Sequence, residues 1–194
     1  MRVSRRVDAA GLGLAVLAAS TAIARSREVH EVEHQVFRSL NDLPHALHPP
    51  VYVVMQSGSL AAVFVAAGIA HRVGHRRRAR AIAAGGAGAW AGAKAVKQWV
   101  GRGRPASHID DVHVRGTEEA GLGFPSGHAA VAFCITTLAT PELPPPVRPL
   151  AWALAGLVGI ARIYIGVHLP LDVVGGAALG VVTAAAGRAG WVED

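Results

Sequence analysis

The stretch PPVYVVMQSGSLAAVFVAAGIA, Pro49–Ala70, runs for 22 residues without one charged side chain. At helical rise that is long enough to cross the roughly 30 Å of hydrocarbon in a bilayer. Working outward, Ala81–Val100 is a second such run, its two charges, Lys94 and Lys97, falling towards its end. Ala9–Ala24, Ser126–Thr140, Leu150–Val167 and Leu171–Gly187 are shorter, or interrupted by Arg162, His168 or Asp172. Together they predict an all-α integral membrane bundle of six transmembrane helices. A soluble helical bundle would show a charged face on each helix. The runs are instead rich in Ala and Gly, and Gly88-x-x-x-Gly92 and Gly176-x-x-x-Gly180 have the spacing that lets helices approach closely in lipid.

Composition agrees. Of 194 residues 52% are hydrophobic and 16% charged, and the mean hydropathy is +0.35. Disorder and a highly charged soluble surface are both excluded. The length suits one domain, and residues 1–194 are read as a single membrane-embedded unit. The lone Cys134 rules out a disulfide framework and a CxxC site.

Five arginines lie in His71–Arg80, between the second and third runs, and Arg2, Arg5 and Arg6 precede the first. Such clusters mark the cytoplasmic side, so both chain ends are expected there in a multi-pass protein of the cell membrane. This also explains the net charge of +6 without nucleic acid. Met1–Ala24 also fits a signal peptide with Ala22-Ile23-Ala24 as its cleavage site, and its removal would not reverse the later spans. In Arg25–His48, Val29, Val32, Val36 and Leu40, with Phe37 nearby, recur at helical spacing among Glu28, Glu31, Glu33 and Arg38. This predicts an amphipathic helix on the outer surface. Gly101–Phe124, with Asp110, Asp111, Glu118 and Glu119, is too polar to cross lipid and too long for an ordinary connection, which points to function or disorder.

Polar groups within or at the ends of apolar runs are costly and default to function. With six crossings from an inside start, Lys97, Arg104, Ser126, His128, Arg162, His168 and Asp172 all fall at the extracytoplasmic face. Three cations, two histidines, a hydroxyl and a carboxylate suit a phosphate ester: cations on the non-bridging oxygens, a histidine to attack or be protonated, a carboxylate to orient it. The turn Gly123–His128 leads straight into an apolar helix, so the amides of Ser126 and Gly127 can face an anion. Pro170 can open the last helix, placing Asp172 in its first turn within reach of one imidazole nitrogen of His168; the other is left free to attack phosphorus.

Lys97-x6-Arg104-Pro105, Pro125-Ser126-Gly127-His128 and Arg162-x5-His168-x3-Asp172 together resemble the three-part signature of the phosphatidic acid phosphatase type 2 superfamily. The resemblance covers Lys97–Asp172, and Ala161 departs from the serine often found before the arginine. It implies six membrane-spanning helices with an extracytoplasmic site, and a lipid phosphatase acting on a phospholipid or a polyprenyl phosphate or diphosphate, as in cell-envelope synthesis. It implies His168 as nucleophile forming a phosphohistidine, Asp172 orienting it, and His128 protonating the leaving group and then activating water. Lys97, Arg104, Ser126, Gly127 and Arg162 would hold the phosphoryl oxygens. No metal and no cofactor is expected. The same residues would serve a lipid phosphotransferase, and a non-catalytic phospholipid-binding membrane protein is the remaining alternative. Arg102 is expected in solvent or at lipid head groups. His108, His113, Asp110 and Asp111 form no clear zinc pattern, and His30, His34, His45 and His48 are expected at the surface. Trp99, Trp152 and Trp191 are expected at membrane boundaries.

Overall fold

The computed structural model describes residues 2–116 and 121–189, with side chains for 9–116 and 121–187. Glu118, Glu119, Trp191 and the side chains of Arg2, Arg5 and Arg6 lie outside these. The described residues form an all-helical bundle of eight α-helices: α1 (Arg2–Ala24), α2 (Glu31–Asn41), α3 (His48–Gln56), α4 (Leu60–Arg72), α5 (Arg76–Val100), α6 (Gly127–Ala139), α7 (Arg148–Tyr164) and α8 (Pro170–Ala189).

At the centre is α6, packed on α5, α7 and α8. Ala130, Val131, Cys134 and Leu138 of α6 meet Val63 of α4, Ile82 and Ala89 of α5, and Leu179 of α8 in one buried cluster. The outward faces carry exposed Leu12, Phe64, Val65, Ile69, Leu150 and Leu157. A bundle in water would place charge at such positions; a bundle in lipid places apolar side chains there.

The expectation of six spans is only partly matched. Among the described residues two helices qualify by length and apolar content, Pro145–Tyr164 and Pro170–Gly187, and a third only if α3 and α4 count as one. The apolar part of α1, Ala9–Ala24, is shorter. At 13 residues α6 is about 20 Å long, and lysine and glycine dilute α5. The run Pro49–Ala70 is not one helix. It bends by 54° between α3 and α4, where Ser59 Oγ accepts the Ala62 N–H at 3.2 Å and starts a new helix. A Cβ on Gly58 would lie 2.6 Å from both the His128 carbonyl oxygen and Val158 Cγ1, so the bend is pressed against α6 and α7.

The stretch expected as a surface helix contains α2, and its apolar residues divide between two sides: Val29 and Leu40 pack on the buried cluster around Phe37. Val32 and Val36 are exposed, while Glu33, Phe37 and Asn41, at i, i+4 and i+8, turn inward against α7 and α8. Two polar residues win this face because each meets buried partners: Asn41 bonds the carbonyl oxygens of His113 and Tyr164, and Glu33 bonds Arg102.

The two Gly-x-x-x-Gly pairs are not equivalent. A Cβ on Gly176 or Gly180 would fall well inside contact distance of the Ser126 or Ala130 carbonyl oxygen on α6. One on Gly88 or Gly92 would make ordinary contacts of 3.7 and 4.0 Å. Gly180→Ala is therefore expected to destabilise the detergent-solubilised protein, by about 1–3 kcal/mol of overpacking. Gly88→Ala should be neutral or stabilising by up to about 1 kcal/mol through helix propensity. Thermal unfolding of the two variants checks this, and equal behaviour would contradict the close α6–α8 contact.

Candidate active site

Three segments build the site. Lys97 lies in the last turn of α5, which ends at Gly101 in the left-handed conformation, φ 69°. The chain then doubles back, Gly103 forming an antiparallel bridge with Leu122. Lys97 Nζ donates to the carbonyl oxygens of Leu122 and Gly123, each at 2.7 Å, binding the return strand to the helix. Arg104 donates to the Val167 carbonyl oxygen at 2.8 Å, binding the same loop to the segment before His168.

The second segment enters α6. Ser126 is its N-cap and accepts the Ala129 N–H on Oγ. The sequence reading offered the Ser126 amide to an anion, and the structure corrects this: it donates to the Asp172 carbonyl oxygen at 2.8 Å. Gly127, in the first turn of α6, lines the cavity. In the third segment, His168 Nδ1 lies 3.2 Å from Asp172 Oδ2, which also accepts the Leu169 N–H at 3.0 Å. Arg162 reaches the same point from the last turn of α7.

Lys97, Arg104, Gly127, His128, Arg162 and His168 line one cavity of about 640 Å³. Ser126 and Asp172 are fully buried behind that wall. All eight sequence-predicted residues thus belong to one locality, six as lining and two as support. With Nδ1 held by Asp172, Nε2 is the nitrogen His168 can offer the cavity. Burial, followed by the cations Arg162, Lys97 and Arg104 and by His128, holds the His168 pKa well below the ordinary imidazole value.

Arg102, expected in solvent, is instead 0% exposed. It donates through Nη1 to Asp172 Oδ1 at 3.2 Å and through Nη2 to Glu33 Oε2 at 2.6 Å. Arg104, two residues on, lines the cavity while Arg102 points away; a regular strand would put residues i and i+2 on one face, so this segment does not follow strand alternation. Glu33 was also missed; the signal available in the sequence was its i, i+4 relation to Phe37. Arg115 was missed too, and donates to the carbonyl oxygens of Tyr164 and Leu43 at 2.6 and 2.7 Å. The other loop residues, His108, His113, Asp110 and Asp111, are exposed, and among the described residues no three His, Cys, Asp or Glu side chains converge on a possible cation position.

A family model for the PAP2 superfamily matches residues 78–191, more than half the chain and all of this site. The chain belongs to the PAP2 superfamily. Phosphatidylglycerophosphatase B of Bacillus subtilis (strain 168) is 37% identical over 99 residues, covering 46% of each chain. The chain therefore aligns with about half the length of that curated relative. In fold it resembles the crystal structure of Aquifex aeolicus LpxE, with TM-score 0.75, 24% identity and coverage of 84% of this chain and 98% of that one. It also resembles the transmembrane PAP2 type phosphatidylglycerolphosphate phosphatase from Bacillus subtilis, with TM-score 0.70, 20% identity and coverage of 93% and 97%.

The surroundings of His168 in this PAP2 protein give an outcome independent of any reaction. Cations and burial disfavour the imidazolium, so His168 should remain neutral at pH 6, where free imidazole, with a pKa of about 6.5, is largely protonated. Nitrogen chemical shifts of the histidine-labelled protein, assigned through His168→Gln, measure it. A titration at or above the free value would contradict this electrostatic picture.

Proposed function

We propose that the protein is a lipid phosphatase of the cell membrane, hydrolysing the terminal phosphate of a phospholipid or a polyprenyl phosphate or diphosphate through a phosphohistidine. The observation that carries this reading is the His168–Asp172 contact behind a cavity walled by Lys97, Arg104 and Arg162. Neutral His168 attacks phosphorus through Nε2, the bond to the leaving oxygen breaks, and His128 gives that oxygen a proton. His128 then takes a proton from water as the water oxygen attacks phosphorus, the P–N bond breaks, and orthophosphate leaves. Asp172 balances the imidazole's charge while the phosphoryl group is attached.

The three cations and the Gly127 amide neutralise the phosphoryl oxygens as charge builds on them, and Ser126 supports them from behind. This supplies without a metal the charge that magnesium supplies elsewhere, so turnover in EDTA is part of the reading. An extracytoplasmic site is part of this reading, supported by the arginines at the end of α4 and the start of α5, which lie at the end of α5 opposite Lys97. The named activities of the relatives favour lipid substrates, and the exposed apolar surface gives a hydrocarbon tail a way to the cavity from the bilayer.

Phosphate release by the detergent-purified protein tests the proposal, on phosphatidate, phosphatidylglycerophosphate, polyprenyl phosphate and polyprenyl diphosphate in EDTA. Turnover of at least one lipid is expected. His168→Ala should abolish it, and His128→Ala should reduce it by roughly 10²- to 10⁴-fold, the usual scale of general acid–base catalysis. Turnover unchanged in His168→Ala would sink the assignment.

A further inference from the structure

A guanidinium and a second carboxylate stand behind the proposed nucleophile, and neither touches the cavity. Arg102 Nη1 donates to Asp172 Oδ1 at 3.2 Å and to Glu33 Oε1 at 3.1 Å. Its Nη2 donates to Glu33 Oε2 at 2.6 Å and to the Glu28 carbonyl oxygen at 3.0 Å. Glu33 Oε1 also accepts the Leu171 N–H at 2.9 Å, in the first turn of α8 beside Asp172. The Arg102 and Asp172 side chains are 0% exposed and that of Glu33 is 10% exposed.

The division of contacts is informative. Asp172 gives Oδ1 to Arg102 and Oδ2 to His168 and the Leu169 amide. Both oxygens are held, so the carboxylate plane is fixed and the imidazole it holds is aimed. If Arg102 paired with Asp172 alone, guanidinium and carboxylate would cancel, and little charge would remain for an imidazole that becomes cationic on phosphorylation. The two-pronged grip of Glu33 balances Arg102 instead. Arg102 then orients Asp172 without consuming its charge.

We infer that Glu33 and Arg102 are positioning residues for the phosphoryl transfer, Arg102 fixing the Asp172 carboxylate and Glu33 preserving its negative charge for His168. This rests on the phosphohistidine reading above. It gives α2 a task in the reaction although it contributes nothing to the cavity wall.

The test uses the two charges in opposition. His168 is faced by Arg162 from α7, Lys97 from α5, His128 from α6, Asp172 from α8 and Arg104 from the loop, and these are unchanged in Glu33→Gln, Arg102→Gln and Arg102→Lys. Glu33→Gln removes negative charge behind Asp172, so imidazolium becomes less favourable and the acid limb of kcat/KM moves to lower pH. Arg102→Gln removes positive charge, so that limb moves to higher pH. Arg102→Lys keeps the charge and should restore the position of the limb while recovering kcat only in part.

In Glu33→Gln and Arg102→Gln kcat should fall on the order of 10- to 100-fold, as when outer partners of a functional imidazole are lost. KM should stay put, because the cations on the phosphate are untouched. If Arg102→Gln does not fold, Glu33→Gln and Arg102→Lys carry the same comparison. Folded variants with unchanged kcat and pH profile, or limbs moving in the same direction, would overturn the inference while an inactive His168→Ala left the phosphatase reading intact. Turnover surviving in His168→Ala would remove both.

Discussion

The residue on which the site depends is Asp172, buried at the start of α8. Its carboxylate holds His168, the Leu169 amide and Arg102, and its carbonyl oxygen holds the Ser126 amide at the mouth of α6. One residue therefore sets the proposed nucleophile, the anchoring of the polar loop and the start of α6 relative to one another. A carboxylate in such a place is tolerable only with every partner present. Removing one member of a buried ion pair typically costs about 3–5 kcal/mol, because the other is left uncompensated. The same penalty that makes the arrangement expensive makes it rigid.

Around this centre the loop between α5 and α6 is tied down by charge on its backbone. Lys97 and Arg104 spend donors on loop carbonyl oxygens as well as lining the cavity. Asn41 and Arg115 both donate to the Tyr164 carbonyl oxygen in the last turn of α7, where a helix end exposes unpaired acceptors. The cations thus work twice, as loop anchors and as the positive wall of the cavity. The close α6–α8 approach at Gly176 and Gly180 belongs to the same design, since a wider spacing would part Ser126 from Asp172.

Much of this was legible in the sequence. Apolar runs read out as helices because lipid-facing and core-facing positions are both apolar there. The three spaced motifs picked out eight residues that the fold brings into one locality, because ionisable groups are rare in such runs and have few other reasons to be present. The bend at Ser57-Gly58-Ser59 was harder to see, since it depends on what α4 meets, His128 and Val158, and not on local composition alone. On α2 Phe37 and Leu40 do turn inward, but Val32 and Val36 do not. Hydrophobic periodicity assumes that apolar residues turn inward, and here a carboxylate and an amide turn inward because buried partners await them.

Arg102 shows where reading along a chain stops. In Gly101-Arg102-Gly103-Arg104 the two arginines look alike, and nothing local separates a cavity cation from a structural one. What separates them is the path of the folded segment, which departs from strand alternation and turns Arg104 to the cavity and Arg102 to the interior. The interior can accept a guanidinium only because Glu33, from a helix about seventy residues away, meets it there. Buried charges have to balance, and the balancing residue is set by tertiary contact, so neither partner was identifiable without the other. The charge pattern that looked like an amphipathic surface helix is better understood as the far end of the site's own electrostatic balance.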